Sequence, residues 1–117
     1  MHFAISTTWG PTDTTRASLP FIFAKQALAK GDTVMLMLFH DAVSIAVEGT
    51  SAKMLPVGPP PAFDEVFAHE NAEVIVCDPC AAARGITADM LRENARLGGM
   101  GDLHAQATRE DCRPIAF

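Results

Sequence analysis

Two apolar runs constrain this chain more than any other feature. Val34-Met35-Leu36-Met37-Leu38-Phe39 is unbroken, and Val74-Ile75-Val76-Cys77 is short and mostly β-branched. A strand wetted on one face alternates apolar and polar residues. A run without alternation suits a strand covered on both faces, as in a parallel sheet. Neither run approaches the roughly 20 residues that a membrane-spanning helix needs. Parallel strands require crossover connections, and the rest of the chain supplies helical patterns between the strand patterns.

Strands are expected at Phe3–Thr8, Thr33–Phe39, Glu73–Cys77, Arg96–Met100 and Arg113–Phe117. Helices are expected at Arg16–Lys30, Ala62–Glu70, Asp78–Arg84, Thr87–Asn94 and Asp102–Glu110, with a short helix or turn over Asp41–Glu48 and a loop over Thr50–Pro61. Gly31 and Gly85 follow helices where a left-handed residue is favoured. Pro79 suits a first turn, while Pro20 predicts a kink or late start in the first long helix. A threonine among Thr12–Thr15 is expected to cap that helix, and Thr87 to cap a later one. This order predicts an α/β fold: one domain over residues 1–117, a three-layer α/β/α sandwich around a mostly parallel sheet of about five strands.

The length of 117 residues fits one core, and 49% apolar with 20% charged residues excludes a disordered chain. Nine basic against fourteen acidic residues give a net charge of −5. No basic stripe is present to neutralise phosphates, so neither direct nucleic-acid binding nor an anionic membrane surface is expected. The first residues lack the pattern of a secretory leader, and three sparse cysteines suit a reducing compartment, so a cytoplasmic protein is expected. In the first long helix Ala17, Phe21, Ala24 and Leu28 form one face, and Leu19, Ile22 and Phe23 widen it nearly all round. Such a helix needs a sheet on one side and a partner on the other, which predicts a homo-oligomer.

In parallel α/β sheets, chemistry gathers at the carboxyl ends of the strands. Those ends are Thr8-Trp9, Phe39-His40-Asp41, Cys77 and Gly99 to Gly101. Cys77 therefore stands at a strand–helix junction, where unpaired N–H groups and the helix dipole favour the reactive thiolate. Asp78 opposes that charge, and Arg84 offsets Asp78 if the helical turn brings it near. Cys80 lies one turn on. A zinc site lacks a second paired motif, so no metal is expected, and no organic cofactor is required. A thioredoxin-like dithiol fits badly because only Ala81 to Phe117 follow it. Two buried, inert thiols remain a simpler reading. His40-Asp41 lies on the edge that carries Cys77 and either assists proton transfer there or is a loop histidine with a capping aspartate. Gly98-Gly99-Met100-Gly101 lacks the order of a nucleotide-binding loop. Trp9, His69, His104 and Cys112 read as packing or solvated residues.

Cys77, Ala81 to Ala83 and Arg84-Gly85-Ile86-Thr87 together resemble the DsrE/DsrF-like family. Leu19-Pro20-Phe21, Ala29-Lys30-Gly31-Asp32, Leu97-Gly98-Gly99-Met100 and the closing Ala116-Phe117 extend the resemblance over nearly the whole chain. The resemblance implies an α/β/α domain that assembles as trimers or hexamers. In its sulfur-carrying members a cysteine eight residues before the glycine of the Arg-Gly pair holds a persulfide, and that position is Cys77. The implied function is sulfur trafficking between donor and acceptor proteins, with Cys77 as carrier. Cys80 is not required by that pattern; its place in the first helical turn offers an accessory or resolving thiol, with His40, Asp41 and Arg84 in support. The alternative is a non-catalytic oligomeric module that binds a small ligand or a partner protein.

Overall fold

The structure, a computed structural model, describes residues 1–54 and 61–117. Pro56, Pro59 and Pro60 of the expected loop lie outside the described residues. Strands β1 (His2–Thr7), β2 (Thr33–Leu38), β3 (Ala72–Cys77), β4 (Ala95–Gly98) and β5 (Cys112–Ala116) form one sheet in the order β4-β3-β2-β1-β5. Every pairing is parallel, so the sheet is wholly rather than mostly parallel. Helices α1 (Thr14–Ala29), α2 (Pro61–Ala68), α3 (Asp78–Ala82) and α4 (Met100–Ala107) lie in the connections.

The crossovers through α1 and α2 advance in one direction across the sheet, and the crossover through α4 returns. Right-handed connection places α1 and α2 on one face and α4 on the other. In keeping with this, α1 packs on α2, and α4 packs on β1 and β5. Val34 to Leu38 and Val74 to Cys77 are all buried, as unbroken apolar strands under two layers should be. Phe21 of α1 meets Phe63 and Phe67 of α2 with ring centroids 4.8 and 5.5 Å apart.

The ends of α1 follow from local chemistry. Asp13, not a threonine, caps it: its carboxylate accepts the Arg16 N–H at 3.1 Å. Gly31 adopts φ +88°, and Asp32 N–H returns to the Ala27 carbonyl at 3.1 Å, closing the helix. The helix neither starts late nor breaks at Pro20. It runs through that residue, whose ring is buried and whose missing N–H leaves the Arg16 carbonyl without its helical donor.

The expected helix over Thr87–Asn94 is not present. Only Ala88–Met90 forms a 3₁₀ turn; Leu91 then bridges Val47, and Asn94 takes φ +68° before β4. Asn94 tolerates that backbone and anchors it by donating to the Phe67 carbonyl at 2.8 Å. The segment expected as a short helix or turn after β2 is a 3₁₀ helix over His40–Ala46.

Strand β5 is an edge. Phe117 N–H bonds Ser6 O, and His2 N–H bonds Asp111 O. By the alternation of a parallel ladder, Arg113 and Ile115 also face β1, whereas Cys112, Pro114 and Ala116 present their backbones outward. Pro114 has no N–H to offer there, a placement that blunts an open edge.

Candidate active site

Cys77 is the last residue of β3 and the N-cap of α3, with its neighbour across the ladder at Gly98. The site thus lies at the carboxyl edge of the sheet. It does not lie at the point where the strand order reverses, which is between β1 and β5. Cys77 is 7% exposed and Cys80 is half-buried. Both thiols are free. Cys80 lies three residues on from Cys77, in the first turn of α3.

Burial raises the pKa of the Cys77 thiol above the ordinary cysteine value, and the Cys80 thiol and the charges of Cys80 and Asp78 add to the rise. The Cys80 N–H pulls the other way but does not win. This corrects the expectation that the helix N-terminus would favour thiolate. A five-residue helix offers a short dipole, and desolvation of the buried thiol outweighs it.

Arg84, His40 and Asp41 come together as a second cluster. Arg84 Nη2 donates to His40 Nδ1 at 3.0 Å and to Asp41 Oδ1 at 2.8 Å. Arg84 Nη1 donates to the Cys80 carbonyl at 3.0 Å. Arg84 therefore pairs with Asp41 and does not offset Asp78. The hydrogen bond to Arg84 lowers the Asp41 pKa, and the His40 and Arg84 charges lower it further against desolvation. Asp41 is not a helix cap either, since the 3₁₀ segment that follows β2 is preceded by Phe39. His40 holds φ +53°, a left-handed backbone that is costly for a residue with a Cβ. It is exposed, and its described polar contacts go to Arg84 and Asp41.

The pair Arg84-Gly85 acquires a physical meaning. Gly85 takes φ +69°, and Ile86 N–H returns to the Ala81 carbonyl at 2.9 Å, closing α3. Arg84 N–H is drawn to Ala81 O, so the Cys80 carbonyl lacks a backbone donor and takes the Arg84 side chain instead.

Two glycines frame the site in ways that sequence reasoning missed. A Cβ on Gly10 would stand 2.2 Å from the Asp41 carbonyl oxygen, so the β1–α1 loop seats Asp41 through a contact only glycine permits. A Cβ on Gly98 would stand 2.5 Å from both Ile75 Cγ2 and Asp102 Oδ2. The Gly98-Gly99 turn is tied down by Asp102, which accepts the Gly99 N–H at 2.9 Å. In sequence only the Trp9-Gly10-Pro11 stop and the glycine-rich run were visible, with no sign of what each would touch.

Of the remaining residues, Trp9 is half-buried under the Arg16 guanidinium, 4.3 Å from the ring centroid. His69 is half-buried and accepts the Asn71 N–H at 3.0 Å; His104 is exposed. Cys112 opens β5 opposite His2 and is half-buried. Among the described residues no three His, Cys, Asp or Glu side chains converge as a metal-binding group. Among them, too, no helix is long and apolar enough to cross a membrane.

The sequence model of the DsrE/DsrF-like family matches residues 1–112. Uncharacterized protein MJ0989 of Methanocaldococcus jannaschii is 31% identical over 114 residues, covering 95% of this chain and 96% of that protein. Uncharacterized protein MK0008 of Methanopyrus kandleri is 31% identical over 91 residues, covering 75% and 71%. Among solved structures, the ychN protein of E. coli superposes with a TM-score of 0.77 at 20% identity, over 100% of this chain and 99% of that one. MTH1491 of Methanobacterium thermoautotrophicum, a protein of unknown function, also gives 0.77, at 15% identity over 99% and 98%. At those identities the two structures attest the shared fold alone.

Proposed function

This chain belongs to the DsrE/DsrF-like family, and from that premise we propose that it is a sulfur-trafficking protein that carries persulfide sulfur on Cys77. The observation that carries this reading is the place of Cys77: last in a central strand, at the carboxyl edge, with Cys80 in the helical turn that follows. In the loading step the Cys77 thiolate attacks the outer sulfur of a donor persulfide. The donor S–S bond breaks, the donor leaves as a thiolate, and Cys77 becomes a persulfide. Delivery is the same exchange in reverse roles, with an acceptor thiolate attacking the outer sulfur and Cys77 leaving. Neither step needs a metal or an organic cofactor.

A raised thiol pKa makes Cys77 a slow leaving group, because departure is faster for thiols of lower pKa. That property suits holding sulfur until a partner arrives. The partners proposed are donor and acceptor proteins in the cytoplasm, acting on a homotrimer or homohexamer, with no direct contact to nucleic acid or membrane.

The test is to incubate the chain with a persulfidated sulfurtransferase and measure intact mass. Cys80→Ser, which keeps the carrier thiol and removes its neighbour, gains the mass of one sulfur atom, and Cys77→Ser does not. Equal gain by Cys77→Ser removes the assignment.

A second reading rests on the burial of Cys77 and the upward shift of its thiol, both of which suit an inert residue. It makes the protein a non-catalytic oligomeric module that binds a small ligand or a protein at the strand-end cleft. It predicts that alkylating both thiols leaves that binding unchanged.

A further inference from the structure

We propose that Arg84 is a positioning residue that locks the first turn of α3 so that Cys80 can attack a persulfide held on Cys77. The inference rests on the reading of Cys77 as a sulfur carrier.

The geometry begins with what α3 lacks. It has five residues, too few for a helix to hold itself in water. Its Cys80 carbonyl has lost the backbone donor to the left-handed exit at Gly85. The Arg84 guanidinium replaces that donor with Nη1 and uses Nη2 to reach His40 Nδ1 and Asp41 Oδ1, both in the connection after β2. One planar fork thus joins the carbonyl of the second cysteine to a neighbouring strand end. The far side of the clamp is itself fixed. Asp41 is backed by Gly10, where no Cβ fits, and His40 is held at φ +53°. The Arg84 side chain is 29% exposed and that of Asp41 39%, so the fork is held by its geometry at a partly wetted surface.

The consequence is chemical. Cys77 is the N-cap of α3 and Cys80 stands in its first turn. Holding that turn still raises the effective concentration of one thiol at the other. The step is balanced. The Cys80 thiol gives its proton to solvent, and its thiolate attacks Cys77 Sγ. The bond from Cys77 Sγ to the outer sulfur breaks, and hydrosulfide leaves with the electron pair. The two cysteines are oxidised to a disulfide and the outer sulfur is reduced to sulfide. A single turnover needs no further reagent.

Lysine keeps the charge of Arg84 but has one nitrogen, and it cannot bridge the Cys80 carbonyl, His40 and Asp41 together. The experiment loads the full chain with sulfur from a persulfidated sulfurtransferase, removes the donor, and follows two rates. One is sulfide release with formation of the Cys77–Cys80 disulfide; the other is transfer to an added small thiol. Wild type releases sulfide and closes the disulfide. Arg84→Lys lowers the ratio of release to transfer by at least about tenfold, since small misplacements of reacting groups cost that much or more. A general loss of structure would lower both rates and leave the ratio alone. If Arg84→Lys does not fold, Asp41→Ala removes the other end of the clamp and must give the same fall in ratio. An unchanged ratio in the folded variant overturns the inference, and so does a loaded wild type that never releases sulfide. Cys80→Ser separates the two layers. If it takes up sulfur on Cys77 while the ratio is insensitive to Arg84, only the clamp is wrong. If it takes up none, the carrier reading falls and the clamp falls with it.

Discussion

Cys77 shows how one residue can be placed by sequence and still be misjudged in chemistry. Its address at a strand end was legible, because Val74 to Val76 precede it and Pro79 follows it. Its burial was not legible, because burial depends on residues distant in sequence. With the folded thiol raised above its unfolded value, the unfolded chain releases this proton first. Stability from this group is therefore full below the unfolded cysteine value, about 8.5, and is lost as pH rises through the folded value. Alkylation of Cys77, mapped by peptide mass against pH, should reach half its maximum above the midpoint found in denaturant. Arg84 was misplaced for the same reason as Cys77 was misjudged. Asp78 is its near neighbour in sequence, yet the partner that matters is Asp41, brought in by the pairing of β2 with β3.

At the scale of elements, the three central strands and the helices around them were readable, because apolar runs and glycine stops are local signals. The failures were local signals overruled by contacts. Thr87 looks like a cap, but Leu91 is taken by a bridge to Val47 and Asn94 turns the chain into β4, so no helix can propagate. Thr12 to Thr15 offered several caps, and the Arg16 N–H is accepted by the side chain of Asp13. Asp13→Ala should lower unfolding stability by about 0.5–2 kcal/mol, measured by denaturant titration, with α1 still formed. Strand β5 makes a sharper case. Pro114→Val would restore an outward N–H on an exposed edge, and concentration-dependent association by light scattering is the expected result. Unchanged scattering would show that Arg113 and the short length of the strand suffice to guard the edge.

The whole molecule leaves α1 incompletely covered. Phe21 and Ala24 are buried under the sheet and α2, but Leu19 is 45% and Ile22 38% exposed. The expected homotrimer or homohexamer would place that face against a second copy. Leu19→Glu together with Ile22→Glu should then lower the mass measured by light scattering while leaving helical content unchanged. A wild-type chain that already runs as a monomer rules out that use of the face.

The parallel sheet also sets an order of assembly. Strand β1 pairs with β2 and, on its other side, with β5, from residues beyond position 110. Closing a long loop costs more entropy than closing a short one, and nonlocal parallel pairing is slow. During synthesis β1 therefore has one neighbour and one vacant side until Cys112–Ala116 have left the ribosome. The guarded edge at Pro114 protects the finished protein, whereas the nascent one is exposed at β1. A neighbouring copy that lends its own β5 at that moment would complete the sheet as an exchanged dimer.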